Sequence, residues 1–239
     1  MKTRNGHHAI VPCLFAMALA TGCASTKITN RQQLVSGPLP RPAHVWVYDF
    51  AATPTDVPAD SSFAGQYSDS AEPQTAEQIA TGRQLGATIA AELVEQIRGM
   101  GMPGLRAPIG TIPQINDIVI RGYLLSVDEG SAAKRVAIGF GAGGSELRTA
   151  VEGYQMTAQG LRKLGSGTLD SGGGKTPGAA VGAATLIATA NPAGLIVSTG
   201  MKVYGEASGK SKVEGRAKDT AKEIADVLKQ RFQQQGWIN

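Results

Sequence analysis

Apolar positions alternate with two different periods along the chain, and the periods divide it into elements. In residues 44–50, Val45, Trp46, Val47, Tyr48 and Phe50 give a β-branched and aromatic run, apolar on both faces, that predicts a buried strand. From Thr75 the period becomes helical. Ile79, Leu85, Ile89, Leu93 and Ile97 recur every three or four residues, with Ala90 and Val94 widening the stripe. Thr75-Ala-Glu-Gln78 has the spacing of a capping box, and Gly99, Gly101 and Pro103 end the pattern. A period of two returns in 117–127, which predicts a strand with Ile118 and Ile120 on one face and Tyr123, Leu125 and Val127 on the other. In 145–156, Leu147, Thr149 and Val151 alternate with Arg148 and Glu152, and a weaker strand covers 161–169. Helical spacing closes the chain in 213–234 through Val213, Ala217, Ile224, Leu228 and Phe232. The order β-α-β-β-β-α predicts an α+β domain over 44–239, a sheet with helices packed on it.

Composition changes that picture in two ways. Hydrophobic residues make up 42% of the 239, enough for a core, but aromatics are only 5% and there are 31 glycines, so the core is built from small and aliphatic side chains. Two Cys and three His exclude a disulfide scaffold and a Cys/His zinc module, and no cluster has metal-ligand spacing. The formal charge is +4.

Residues 1–22 read as an export signal. Lys2 and Arg4 precede an uncharged apolar run over 9–20, too short to span a bilayer. The run ends in Leu19-Ala-Thr-Gly-Cys23, which resembles the lipobox of bacterial lipoproteins, with Ala20 where Leu is usual. The resemblance implies lipidation of Cys23, and Ala24 after it implies sorting to the periplasmic face of the outer membrane. The lipid then anchors the chain without a transmembrane helix. Loss of Lys2 and Arg4 lowers the charge to +2, and His44 is the one histidine left. Residues 23–43, with Pro38, Pro40 and Pro42, read as the lipidated Cys and a flexible tether, and 51–74 as an exposed loop.

The chemistry-bearing motifs are weak. Gly139-Phe-Gly-Ala-Gly-Gly144 satisfies G-x-G-x-x-G, but a strand follows it where a dinucleotide site needs a helix, so a glycine-rich hairpin is the better reading. The run from Leu169 to Thr176 ends like a P-loop but has Leu169 in place of the first Gly. These readings imply no cofactor. His44 lies at a strand end and has no evident nucleophile to serve. Asp49 falls inside an apolar strand. A buried carboxylate needs a partner, for which Arg121 is the natural choice, giving an expected structural pair and no catalytic residue. A charge near +2 without a basic-aromatic patch disfavours nucleic acid. Residues 176–201 carry no charge and are interrupted by Asn191-Pro192. A buried or self-associating helical hairpin fits them best, a membrane β-hairpin less well, and Pro192 argues against a membrane helix.

Taken together, Val45-Trp-Val-Tyr-Asp-Phe50, Ile138-Gly-Phe-Gly-Ala-Gly-Gly-Ser145, Asn191-Pro-Ala-Gly-Leu and Val203-Tyr-Gly-Glu-Ala-Ser-Gly209 resemble the proteobacterial lipoproteins of domain of unknown function 4410. That resemblance implies an envelope location and assigns no reaction. The anchor and β-α-β layout are also similar, at the level of fold, to penicillin-binding-protein activators and to the periplasmic domain of the curli secretion channel. The expected function is that of a non-enzymatic accessory subunit binding another envelope protein. The alternative is an oligomeric export or pore-associated component that uses 176–201.

Overall fold

The computed structural model describes residues 26–64, 74–108, 110–128, 146–172 and 207–239. The export signal, Cys23, the 139–144 glycine run and the uncharged 176–201 segment lie outside the described residues. The fold is α+β: one six-stranded mixed sheet with two helices packed on it. In chain order the elements are β1 (Thr26–Gln33), β2 (Val45–Val47), a 3-10 turn (Pro54–Asp56), α1 (Ala76–Gly99), β3 (Gly104–Arg106), β4 (Ile118–Asp128), β5 (Glu146–Thr157), β6 (Gly160–Gly172) and α2 (Ala207–Gln234).

The strands lie in the order β1-β6-β5-β4-β2-β3. β2 runs parallel to both its neighbours, so β2-α1-β3 is a crossover unit, while β4, β5 and β6 form an antiparallel meander. α1 starts where its capping box predicts. The Thr75 hydroxyl accepts from the Gln78 N–H (3.2 Å), and the Gln78 side chain accepts from the Thr75 N–H (2.8 Å). Its stripe of Leu85, Ile89, Ala90, Leu93, Val94 and Ile97 is buried against the sheet. It ends at Met100, and Gly101 follows at φ 78°. On α2, Val213, Ala217, Ala221, Ile224, Ala225 and Phe232 join the same core.

Three expectations are corrected. First, the tether is largely held. Residues 26–33 form β1, an edge strand antiparallel to β6, and the Leu34 N–H donates to the Leu164 carbonyl (2.9 Å). The C-terminus then holds Leu39: the Gln235 side chain accepts from its N–H (2.6 Å) and Trp237 Nε1 donates to its carbonyl (3.2 Å). Backbone pairing needs no apolar alternation, so this polar strand leaves little mark in the sequence. Second, the strand expected at 44–50 pairs only over Val45–Val47, and the chain then bends so that Ala51 bridges to Tyr123. Third, Val127 shares the helix-covered face with Ile118, Ile120 and Leu124. A register shift between Leu124 and Ser126 leaves Leu125 outside the ladder and inverts the alternation beyond it.

One aromatic ties the layers together. Phe50 lies between α1 and β4, its N–H donating to the Gly86 carbonyl (3.3 Å). A Cβ at Gly122 would fall inside its ring, and one at Gly86 would strike its carbonyl. These two glycines are required by close approach.

Candidate functional site

The densest polar constellation lies on the face of the sheet opposite the helices. Glu152 projects there from β5 with no solvent exposure. Oε2 accepts from Ser61 Oγ (2.9 Å), Tyr123 OH (2.9 Å) and Tyr154 OH (2.7 Å). Oε1 accepts from Lys163 Nζ (2.6 Å) and from Ser62 Oγ. The strand ladders account for most of this. Tyr123, Glu152 and Tyr154 share one face by the period of two, and Lys163 on β6 is paired with Tyr154. The serines arrive on the loop after β2, whose Phe63 packs against Tyr123 with ring centroids 4.7 Å apart and planes tilted by 48°.

Beside this knot, Arg121 is buried between two tyrosine rings, its guanidinium carbon 5.7 Å from the Tyr48 centroid and 5.3 Å from that of Tyr154. Its Nη1 donates to Asp60 Oδ1 at 2.7 Å. The expected pair of Asp49 and Arg121 is therefore corrected. Asp49 is half-exposed and forms a bidentate pair with Arg106 at 2.7 and 2.6 Å. Because pairing stops at Val47, Asp49 is not enclosed by the sheet.

Burial pushes the Glu152 carboxyl upward, but hydrogen bonds from Lys163, Ser62 and Tyr154 and the charge of Lys163 outweigh it and hold the carboxyl below its ordinary 4.5. Burial pushes both Tyr123 and Tyr154 well above the ordinary phenol value of 10.0, followed by the charge of Glu152 at Tyr123 and by the hydrogen bond to Glu152 at Tyr154. The cluster is thus one carboxylate saturated by neutral hydroxyls and an ammonium. The Ser62 hydroxyl donates to Glu152 and also accepts from Lys163 (2.9 Å). Its hydrogen and a lone pair are both engaged, so the arrangement clamps the loop to the sheet.

His44 lies at the start of β2, as expected. Its Nδ1 is 3.3 Å from both oxygens of the buried Asp117, which also accept from the His44 N–H, Trp46 Nε1 and the Gln114 N–H, each at 2.9 Å. Among the described residues no hydroxyl or thiol bonds to the imidazole, so this carboxylate ties the entrances of β2 and β4 together. No group of three or more His, Cys, Asp or Glu among the described residues could hold a metal. Likewise, no helix among them is long and apolar enough to cross a membrane.

Sequence reasoning missed Glu152, which reads as a solvent-facing position, and missed its partners Ser61, Ser62 and Lys163. The available signal was Tyr154 two residues from a carboxylate on the same strand face, since a buried phenol needs an acceptor.

No curated protein matches the chain. Among solved structures it is similar to two PelC dodecamers from Paraburkholderia phytofirmans. A point variant of PelC has TM-score 0.34 and 16% identity over 70% of this chain and 95% of that one. The second has TM-score 0.32 and 13% identity over 72% and 98%. The family model described as Domain of unknown function (DUF4410) matches residues 45–190, from β2 through the meander, and the chain belongs to that family.

Proposed function

We propose that this chain is an outer-membrane lipoprotein, anchored through Cys23, whose periplasmic domain is non-enzymatic and assembles with copies of itself as an export- or pore-associated component. The observation that carries the proposal is a pair of bare isoleucines on a pinned loop. Ile112 is 87% exposed and Ile115 62%. The loop that displays them is fixed at several points. The Thr111 hydroxyl donates to the Pro108 carbonyl (2.7 Å), Tyr48 OH donates to the Thr111 carbonyl (3.3 Å), and the Asn116 N–H donates to the Met156 carbonyl (2.8 Å). Asn116 adopts φ 74° there. Apolar side chains held out on a fixed backbone suit an interface, because little freedom remains to be lost on binding.

The sheet supports the same reading. β1 and β3 are its two end strands, and the isoleucine loop follows β3. Different surfaces at opposite edges of one sheet make a head-to-tail contact, which closes into a ring when its rotation permits.

The test is light scattering of the full, lipidated chain in detergent, beside an Ile112→Asp, Ile115→Asp double variant. The expected result is an assembly larger than a dimer that the double variant dissociates without loss of secondary structure. A strict monomer overturns the proposal. If native-envelope crosslinking of that monomer then recovers one constant protein, the accessory-subunit reading replaces it.

A further inference from the structure

A cavity lies between the helix-covered face of the sheet and the C-terminal half of α2, and its floor is made of missing side chains. On the face shared with Ile120 and Val151, β5 and β6 present Gly153, Gly165 and Gly167 in paired positions. Glycine within a strand is unfavourable and calls for a local reason. Gly165 has one: a Cβ there would stand 2.5 Å from the Gln32 carbonyl oxygen of β1. Gly153 and Gly167 do not. A Cβ at Gly153 would meet nothing within 4 Å, and one at Gly167 only the Ile28 side chain at 3.8 Å. Among the described residues, nothing packs into the space that these two glycines open.

The cavity has a volume of about 190 Å³. That exceeds the roughly 150 Å³ of an engineered apolar cavity able to bind benzene. Its walls are aliphatic and aromatic, drawn from Ile28, Leu164, Ile224, Leu228, Phe232 and Trp237 among others. Among the described residues, the charged groups lining it are Arg31 and Arg231, and no carboxylate lines it. Arg31 is exposed and Arg231 partly buried, which puts both at the opening. Burial first, and then the charge of Arg31, depress the Arg231 guanidinium. Two cations therefore converge on one apolar opening, with Gln234 accepting from Arg231 at 2.8 Å.

We propose that this glycine-floored cavity binds a single acyl chain bearing an anionic head group, the chain lying over Gly153 and Gly167 and the anion held between Arg31 and Arg231. The apolar walls favour a hydrocarbon tail by the area they remove from water. The two guanidiniums favour a carboxylate or phosphate, which accepts their donors and cancels their repulsion. The acyl chains of the protein's own anchor carry no anion and do not meet the second condition.

Calorimetry on the full mature chain with Cys23→Ser, free of detergent, tests this with three twelve-carbon probes: dodecanoate, dodecyl phosphate and dodecanol. The expected result is one site per chain, with at least one of the two anions bound tenfold or more tighter than the alcohol. The better anion separates a fatty-acid from a phospholipid-like head group. An Arg31→Ala, Arg231→Ala double variant should bring the anions down to the level of the alcohol. Gly153→Leu should fill the cavity and abolish binding of all three at unchanged melting temperature. Gly167→Leu serves the same purpose from the next strand if Gly153→Leu does not fold. Equal affinity for dodecanol and both anions, or full binding by a folded leucine variant, overturns the proposal. It is also overturned if wild type binds no probe; leucine variants that then dissociate an assembly make the face an interface between copies.

Discussion

The two faces of the sheet solve the same problem by different means. Under the helices, burial is apolar. Leu85, Ile89, Leu93 and Ile97 of α1 and Ala217, Ala221 and Ile224 of α2 cover Ile118, Ile120 and Leu124 without polar pairing. On the opposite face no helix is present among the described residues, and a loop is held down by polar bonds to Glu152 and Arg121 around a small apolar patch of Ala51, Tyr123 and Ala150. A helix brings its own backbone bonds and can rest on hydrophobic area alone. A loop brings unpaired polar groups and needs anchors that satisfy them. The apolar face should therefore respond mainly to changes of volume, and the polar face to changes of charge and pH.

The sharpest break of that contrast is Glu152→Ala. It strands Lys163 and removes the acceptor for Tyr123, Tyr154, Ser61 and Ser62. Leaving the buried Tyr123 and Tyr154 hydroxyls without their acceptor costs about 1–3 kcal/mol each, while the partly exposed Lys163 is solvated at lower cost. Urea denaturation measures it, and a cost under about 1 kcal/mol would mean that the knot contributes little.

The pH dependence has the same origin. The folded value of Glu152 lies below 4.5, so its contribution is present above 4.5 and disappears as pH falls through the folded value. Tyr123 and Tyr154 lie above 10.0 in the fold, so their contribution is present below 10.0 and disappears as pH rises beyond it. The urea midpoint should be flat between those limits and fall on both sides. Glu152→Gln should flatten the acid limb specifically.

On the apolar face the matching test is one of volume. Gly122→Ala places a methyl group inside the Phe50 ring, which must leave its seat between β4 and α1. Overpacking of this kind costs about 1–3 kcal/mol. The loss should be independent of pH, and Phe50→Leu in the same chain should recover part of it. A pH-dependent loss would mean that the two faces are not separable in the way proposed.

How much of this was legible depends on how local the cause is. α1 could be read almost completely, because the capping box, the apolar stripe and the terminal glycine act within a few residues of each other. β4 was legible as far as Leu124, after which a single residue outside the ladder inverted the faces, and no residue at Leu125 or Ser126 announces it. Glu152 reads as exposed by alternation and is buried because Ser61 and Ser62, about ninety residues earlier, fold over it. No periodicity within β5 encodes that cover. β1 was illegible for a related reason: it is held by ladder bonds to β6, which any side chains permit.

A smaller effect tests the helix that shields the apolar face. Thr75→Ala removes the acceptor for the Gln78 N–H and should cost about 1 kcal/mol. Thr75→Ser should restore most of it, and both are read from the thermal midpoint.

The smallest expected effect separates an enclosed carboxylate from one that merely lies near the sheet. Asp49 and Glu152 both have bidentate or better partners within 3 Å, and distance alone would rank them as equals. Exposure does not. The side chains of Asp49 and Arg106 are 51% and 48% exposed, whereas that of Glu152 has no exposure. Water screens the first pair, and when either member is removed it solvates the other, so no uncompensated charge is left behind. Asp49→Ala should therefore cost less than about 1 kcal/mol, and that small cost should shrink further in 1 M salt as screening shortens to about 3 Å. The Glu152 deficit should persist in the same salt, because three of its donors, Ser61, Tyr123 and Tyr154, are buried with it. A large, salt-resistant loss at Asp49 would mean that the bend after Val47 encloses its carboxylate as well, and that the polar face extends to the edge of β3.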